Sequence, residues 1–150
     1  MIATLIAVFG TLAGTVVAGF MQHLTTARAL REAAAERHRA ALAAAVPALL
    51  AAIVRHREQQ YLKIENHAEG RADTPEARQA RYAARSAVTS AMDTLHMVTR
   101  DAGLLAVAQD AVNAAMAIGD VPADQLPAAG LRAREAHTAL RVAGARHLTV

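Results

Sequence analysis

The sequence predicts an all-α protein: an N-terminal transmembrane helix that continues into a long stalk helix, then a cytoplasmic antiparallel helical bundle. Three observations carry this expectation. Residues 2–21 contain no ionisable side chain, alanine fills 40 of the 150 positions, and no β-branched or aromatic run with strand periodicity appears. With aromatics at 3% of the chain, any core has to be closely packed, helical and built from small residues. The boundaries read from composition are an anchor at 1–22, a stalk at 23–46 and a bundle at 47–150, with bundle helices at about 48–67, 74–98, 101–118 and 124–147.

The first element is the 20-residue apolar run IATLIAVFGTLAGTVVAGFM. At about 1.5 Å rise per residue it matches the roughly 30 Å hydrocarbon core of a bilayer. Its faces differ. Ala3, Ala7, Gly10, Gly14 and Ala18 fall on one side with Thr4, Thr11 and Thr15, while Ile2, Leu5, Phe9, Leu12, Val16 and Phe20 fall on the other. Gly10 and Gly14 form a GxxxG, and small residues at that spacing let helix backbones approach closely in lipid. The small face therefore predicts helix–helix association and a homo-oligomer. A cleavable signal peptide is disfavoured, because no positive residue precedes the run and the run is longer than a signal core. Arg28, Arg31, Arg37 and Arg39 follow it closely, so the positive-inside rule places the N-terminus outside and the bundle in the cytoplasm, a single-pass arrangement in the cell membrane. These four membrane-proximal arginines also suit an anionic lipid surface, each gaining about 1 kcal/mol there.

The stalk is written in strong helix formers, and if unbroken from the start to Val46 it extends about 68 Å. Pro47 lacks the N–H that a helix interior needs, so a kink or boundary is expected at 44–47. The uncharged stretch at 40–54 is too short and too alanine-rich to span, and RHR tripeptides flank it, so it reads as a soluble core helix.

The helix ends at Ala68-Glu69-Gly70, and Thr74-Pro75-Glu76 opens the next with a cap, a first-turn proline and an acid at the positive dipole end. Ala77, Ala80, Ala84, Ala87, Ala91, Leu95 and Val98 recur at intervals of three and four and are read as the bundle seam; Arg78, Arg81 and Arg85 lie off it. Asp101 caps a third helix after a very short turn, with a stripe of Leu104, Ala108, Ala111, Ala115 and Ile118 and an end at Gly119. The last helix starts between Ala123 and Pro127 and is expected to bury Leu131, Ala136, Leu140 and Ala143.

Catalytic chemistry is not written here. Without cysteine there are no disulfides, thiolate nucleophiles or Cys-type zinc sites. His23, His38, His56, His67, His96, His137 and His147 lack HExxH or any i, i+4 His/carboxylate pairing, so no metal is expected. With Lys63 the sole lysine, GxxxxGK[ST] is absent, and no nucleophile–base pair stands out, so the chain is expected to be a non-enzyme without cofactors. The net charge of +3 and pI near 10.2 fit lipid, nucleic acid or a solvated arginine-rich surface.

The opening MIATLIAVFGTLAGTVVAGFMQH, its Arg/Ala/Glu-rich continuation and the later RSAVTSAMDTLHMV and DAGLLAVAQDAVNAAM helices resemble the KilB-like proteins of actinobacteria, known from Streptomyces conjugative plasmids. The resemblance implies a membrane-associated factor in the spread of plasmid DNA through the mycelium, toxic when unregulated. Three functions follow as expectations. The first is a membrane-anchored oligomerising scaffold with lipid, its own copies and DNA-transfer proteins as partners. The second is a holin-like or pore-forming toxin, and the third a membrane-tethered regulator that contacts DNA directly.

Overall fold

The computed structural model describes the backbone of residues 2–148 and the side chains of residues 25–147. Among the described residues four α-helices follow one another: α1 (Ile2–Ala68), α2 (Pro75–Val98), α3 (Ala102–Ala117) and α4 (Leu126–Leu148), with a 3₁₀ turn at Ala123–Gln125. Among the described residues no strand occurs. The chain forms two compact units, Met1–His38 and Arg39–Val150. The first is helical, and Arg28, Arg31 and Arg37 on it are exposed, with Arg37 Nε donating to the Ala33 carbonyl at 3.1 Å. Ala3, Ala7, Gly10, Gly14 and Ala18, the residues expected to carry helix–helix association, lie outside the residues whose side chains are described.

The second unit is the bundle, and it starts earlier than the expected boundary at 47. Leu42, Ala45 and Val46 are already in the core with Leu49 and Ile53. The reason is that this apolar stripe keeps its three-and-four spacing straight through Pro47, which sits off the stripe and is exposed. No helix boundary falls at 44–47, since α1 contains Pro47 in its interior. The carbonyl of Ala43, which proline cannot bond, belongs to a residue on the same exposed side, where water can satisfy it.

By length and composition the described part of α1, Thr25–Ala68, is apolar enough to cross a membrane. Within it Leu42, Val46, Leu49 and Ile53 are buried in the bundle, whereas Leu30, Val54 and Leu62 are exposed. That agrees with a core helix at 40–54.

Local chemistry explains the turns. Gly70, at φ +69°, ends α1 in a left-handed conformation, with Arg71 N–H donating to the Asn66 carbonyl (2.8 Å) and Gly70 N–H to that of His67 (3.1 Å). The Thr74 hydroxyl accepts from Ala77 N–H at 3.2 Å and the Asp101 carboxylate from Leu104 N–H at 2.8 Å, so both expected caps form. Thr99, buried in the α2–α3 turn, accepts from Asp101 N–H at 3.1 Å and holds that turn shut.

Helices α3 and α4 form an antiparallel hairpin, bridged by Arg132–Asp110 (2.7 Å) and, near its open end, by His147–Asp101 (3.8 Å). Two glycines of α4 bring it against α1. A Cβ at Gly144 would lie 2.6 Å from Val46 Cγ1, and one at Gly130 would lie 2.5 Å from the Tyr61 hydroxyl. The order of these pairs, 46 with 144 and 61 with 130, makes α1 and α4 antiparallel.

Two packing expectations are corrected. Leu131 is 52% exposed, and Ala133 takes its place inside with Ala136 and Leu140. On α2 the buried line is Ala84, Val88, Met92 and Leu95, so it shares only Ala84 and Leu95 with the expected seam: Ala77, Ala87, Ala91 and Val98 are partly covered, and Ala80 is exposed. Val88 and Met92 are larger than the alanines next to them, and burying them removes more apolar surface from water. The α3 stripe is buried throughout, from Leu104 to Ile118.

Candidate functional site

A cleft of about 390 Å³ with concentrated charge lies between the last turns of α1, the first half of α2 and the end of α3. From α1 come His56, Gln60 and Lys63, spaced i, i+4 and i+7 on one face. From α2 come Arg78, Arg81, Tyr82 and Arg85, on one face in the same way. Asp73 of the α1–α2 linker and Met116, Gly119 and Asp120 at the end of α3 complete the lining.

Each wall has a local cause. The cap at Thr74 and the proline after it fix where α2 starts, and so place Arg78, Arg81 and Arg85 about one, two and three turns in. Gly119 was expected to end α3 by its conformational freedom, but its φ is ordinary and its role is space: a Cβ there would lie 2.5 Å from Gln60 Oε1.

Charge in the cleft is uneven. Lys63, Arg78, Arg81 and Arg85 face only Asp73 and Asp120. Asp73 is engaged by Arg81, whose Nη2 donates to Oδ2 at 2.6 Å, and that hydrogen bond, aided by the charges of Arg81, Arg78 and Lys63, holds the carboxyl below its usual range. Among the described residues no ion pair forms to Lys63, Arg78 or Arg85.

His56 is 2% exposed, and neither ring nitrogen has a hydrogen-bond partner. Burial, with Arg85 nearby, lowers its pKa below the ordinary 6.5, so the ring is neutral and carries one N–H and one acceptor. Beyond the cleft, a more apolar groove of about 340 Å³ shares Lys63 and Gly119 and adds Ile64, Val121 and Leu126.

Of the residues singled out from sequence, none of the α2 seam alanines lines this cleft, and Arg28, Arg31, Arg37, Arg39 and Pro47 do not either. Arg39 is exposed at the start of the bundle unit. The three α2 arginines set aside as lying off the seam are the ones the fold brings together with His56 and Lys63. The signal was available as two matching faces, His56/Gln60/Lys63 and Arg78/Arg81/Arg85, but nothing in one strand of text says that they meet. Among the described residues no three His, Asp or Glu side chains converge on a metal position.

This bundle has known relatives. The family model described as KilB plasmid transfer protein matches residues 43–148, which is most of the bundle and every residue of the cleft. The chain belongs to the KilB family. A relative named Protein KilB, from Streptomyces lividans, is 40% identical over 102 residues, and the match covers 65% of each chain. The chain thus aligns with less than two thirds of that relative's length. No solved structure matches. The matched residues lie in the bundle, while the opening apolar run lies outside them.

Proposed function

We propose that this KilB-family protein is a non-enzymatic, single-pass membrane protein whose copies assemble through residues 2–21 and whose cytoplasmic bundle scaffolds partners in the spread of conjugative plasmid DNA. The observation that carries this reading is the pairing, in one chain, of a KilB bundle with an uncharged 20-residue run at its N-terminus. The exposed Arg28, Arg31 and Arg37 that follow the run favour an anionic inner leaflet beside them. The small-residue row Ala3, Ala7, Gly10, Gly14 and Ala18 favours close helix contact in lipid.

Replacing both Gly10 and Gly14 with leucine, in full-length protein extracted into maltoside micelles, tests the assembly surface. The reading expects cross-linked species to shift to fewer subunits; an unchanged ladder removes residues 2–21 as the seam. Expression in cells with a potential-sensitive dye separates a scaffold from a pore, since the scaffold leaves the membrane potential intact.

A further inference from the structure

We propose that the basic cleft of the bundle is a binding site for a small phosphate-bearing anion, with Arg78, Arg85 and Lys63 supplying charge and His56 a hydrogen bond from its floor. The inference concerns the bundle alone and does not depend on how the protein sits in a membrane.

Two independent observations point to a ligand of this chemistry. The first is charge. Four cationic side chains line the cleft against two carboxylates, Asp73 already holds Arg81 at 2.6 Å, and among the described residues the other three cations have no ion pair. Guanidinium groups match phosphate oxygens in pairs of parallel hydrogen bonds, which a carboxylate as compact as Asp120 does not exhaust.

The second is His56. Its imidazole is 2% exposed in the cleft lining with both nitrogens unpartnered, an arrangement that native interiors rarely leave unfilled. A phosphate oxygen entering the cleft accepts from the ring N–H and satisfies it.

Size and depth select the class of ligand. A volume of about 390 Å³ suits a pyrophosphate or a nucleotide, and the adjoining apolar groove past Lys63 and Gly119 leaves room for a base or an acyl arm. Tyr82, 72% exposed at the rim, offers a ring face to such a group. Duplex DNA fits poorly, because its backbone cannot reach a donor that is almost wholly buried.

The test is calorimetric titration of full-length protein in maltoside micelles at low salt with pyrophosphate, ATP, dihexanoyl phosphatidic acid and a short DNA duplex, and with acetate as control. Saturable binding of at least one phosphate ligand, not of acetate, is expected, and its Kd should rise at least tenfold in Arg85→Gln and in Arg78→Gln. Arg132→Gln, on the α3–α4 side and paired with Asp110, should leave it unchanged. Preference for phosphatidic acid assigns the phosphate to a lipid headgroup, and preference for pyrophosphate or ATP to a soluble ligand; both support the site. In the wild-type protein the His56 imidazole nitrogen resonances, identified by their loss in His56→Gln, should move on saturation. Absence of binding to all three phosphates, binding unaffected by either arginine variant, unmoved His56 resonances, or binding of duplex DNA alone would each overturn the proposal.

Discussion

Arg81 reaches back from the second turn of α2 and donates to Asp73 at 2.6 Å, tying the α1–α2 linker to the wall of the cleft. Arg81 is mostly covered, at 15% side-chain exposure, whereas Asp73 is about half exposed, so the pair anchors a nearly buried cation with a wet carboxylate. Asp73→Asn leaves that cation unbalanced. Its folded carboxyl pKa is depressed, so its contribution to stability is present above the unfolded value near 3.8 and is lost as pH falls through the lower folded value. Acid titration below pH 4, followed by circular dichroism, should show a shallower loss of stability in Asp73→Asn than in wild type.

The α1–α4 contact makes a sharper prediction. A side chain at Gly144 meets Val46, which is 4% exposed and stiff at χ1. Gly144→Val should cost about 1–3 kcal/mol through overpacking. Adding Val46→Ala should recover part of that loss, because residues in contact couple by about 0.5–3 kcal/mol in a double-mutant cycle. Denaturant melts of the four proteins measure it, and strictly additive effects would mean that the two helices do not meet there.

Burial separates two leucines that sequence pattern alone treats alike. Leu49 is fully buried and Leu131 is 52% exposed. Leu49→Ala should lose about 2–5 kcal/mol, whereas Leu131→Ala should stay within about 0.5 kcal/mol of wild type. Thermal denaturation of both variants under one set of conditions checks the contrast.

Two histidines set the response to mild acid. Burial lowers the pKa of His56, with Arg85 adding to it, and burial also lowers that of His137, with Arg57 and Arg141 adding and the Leu50 backbone opposing. The unfolded chain takes up these protons near pH 6.5 and the folded chain only at lower pH, so folding stability falls as pH drops below about 6.5 and levels off below the folded values. Melting temperatures across pH 5–8 should decline on the acid side, and His56→Gln should flatten that slope.

Most of the fold was legible because its signals are local. Thr74, Asp101 and Gly70 mark helix ends through hydrogen bonds within a few residues, and the α3 stripe needs only periodicity. The errors arose where two faces competed or distant segments met. Ala80 sat on a clean alanine row, but Val88 and Met92 bury more surface and turned α2 toward themselves. Leu131 lost its place to Ala133, which enters the core with Ala136 and Leu140. Pro47 did not end α1, since the apolar stripe passing it outweighs one unmade hydrogen bond on an exposed side. The cleft was not legible as a site: His56 and Lys63 share a face of α1 while Arg85 comes from α2, and only the fold shows that the two faces meet with few carboxylates around them.

The central claim is that KilB-family membership and the N-terminal apolar run describe one molecule, an assembled membrane protein. Chemical cross-linking of the full-length protein in its native membranes, followed by mass measurement, tests this most directly. The account predicts that the protein partitions with the membrane fraction and yields one defined multiple of the 15.7 kDa chain. A species of 15.7 kDa alone, or recovery in the soluble fraction, would contradict it.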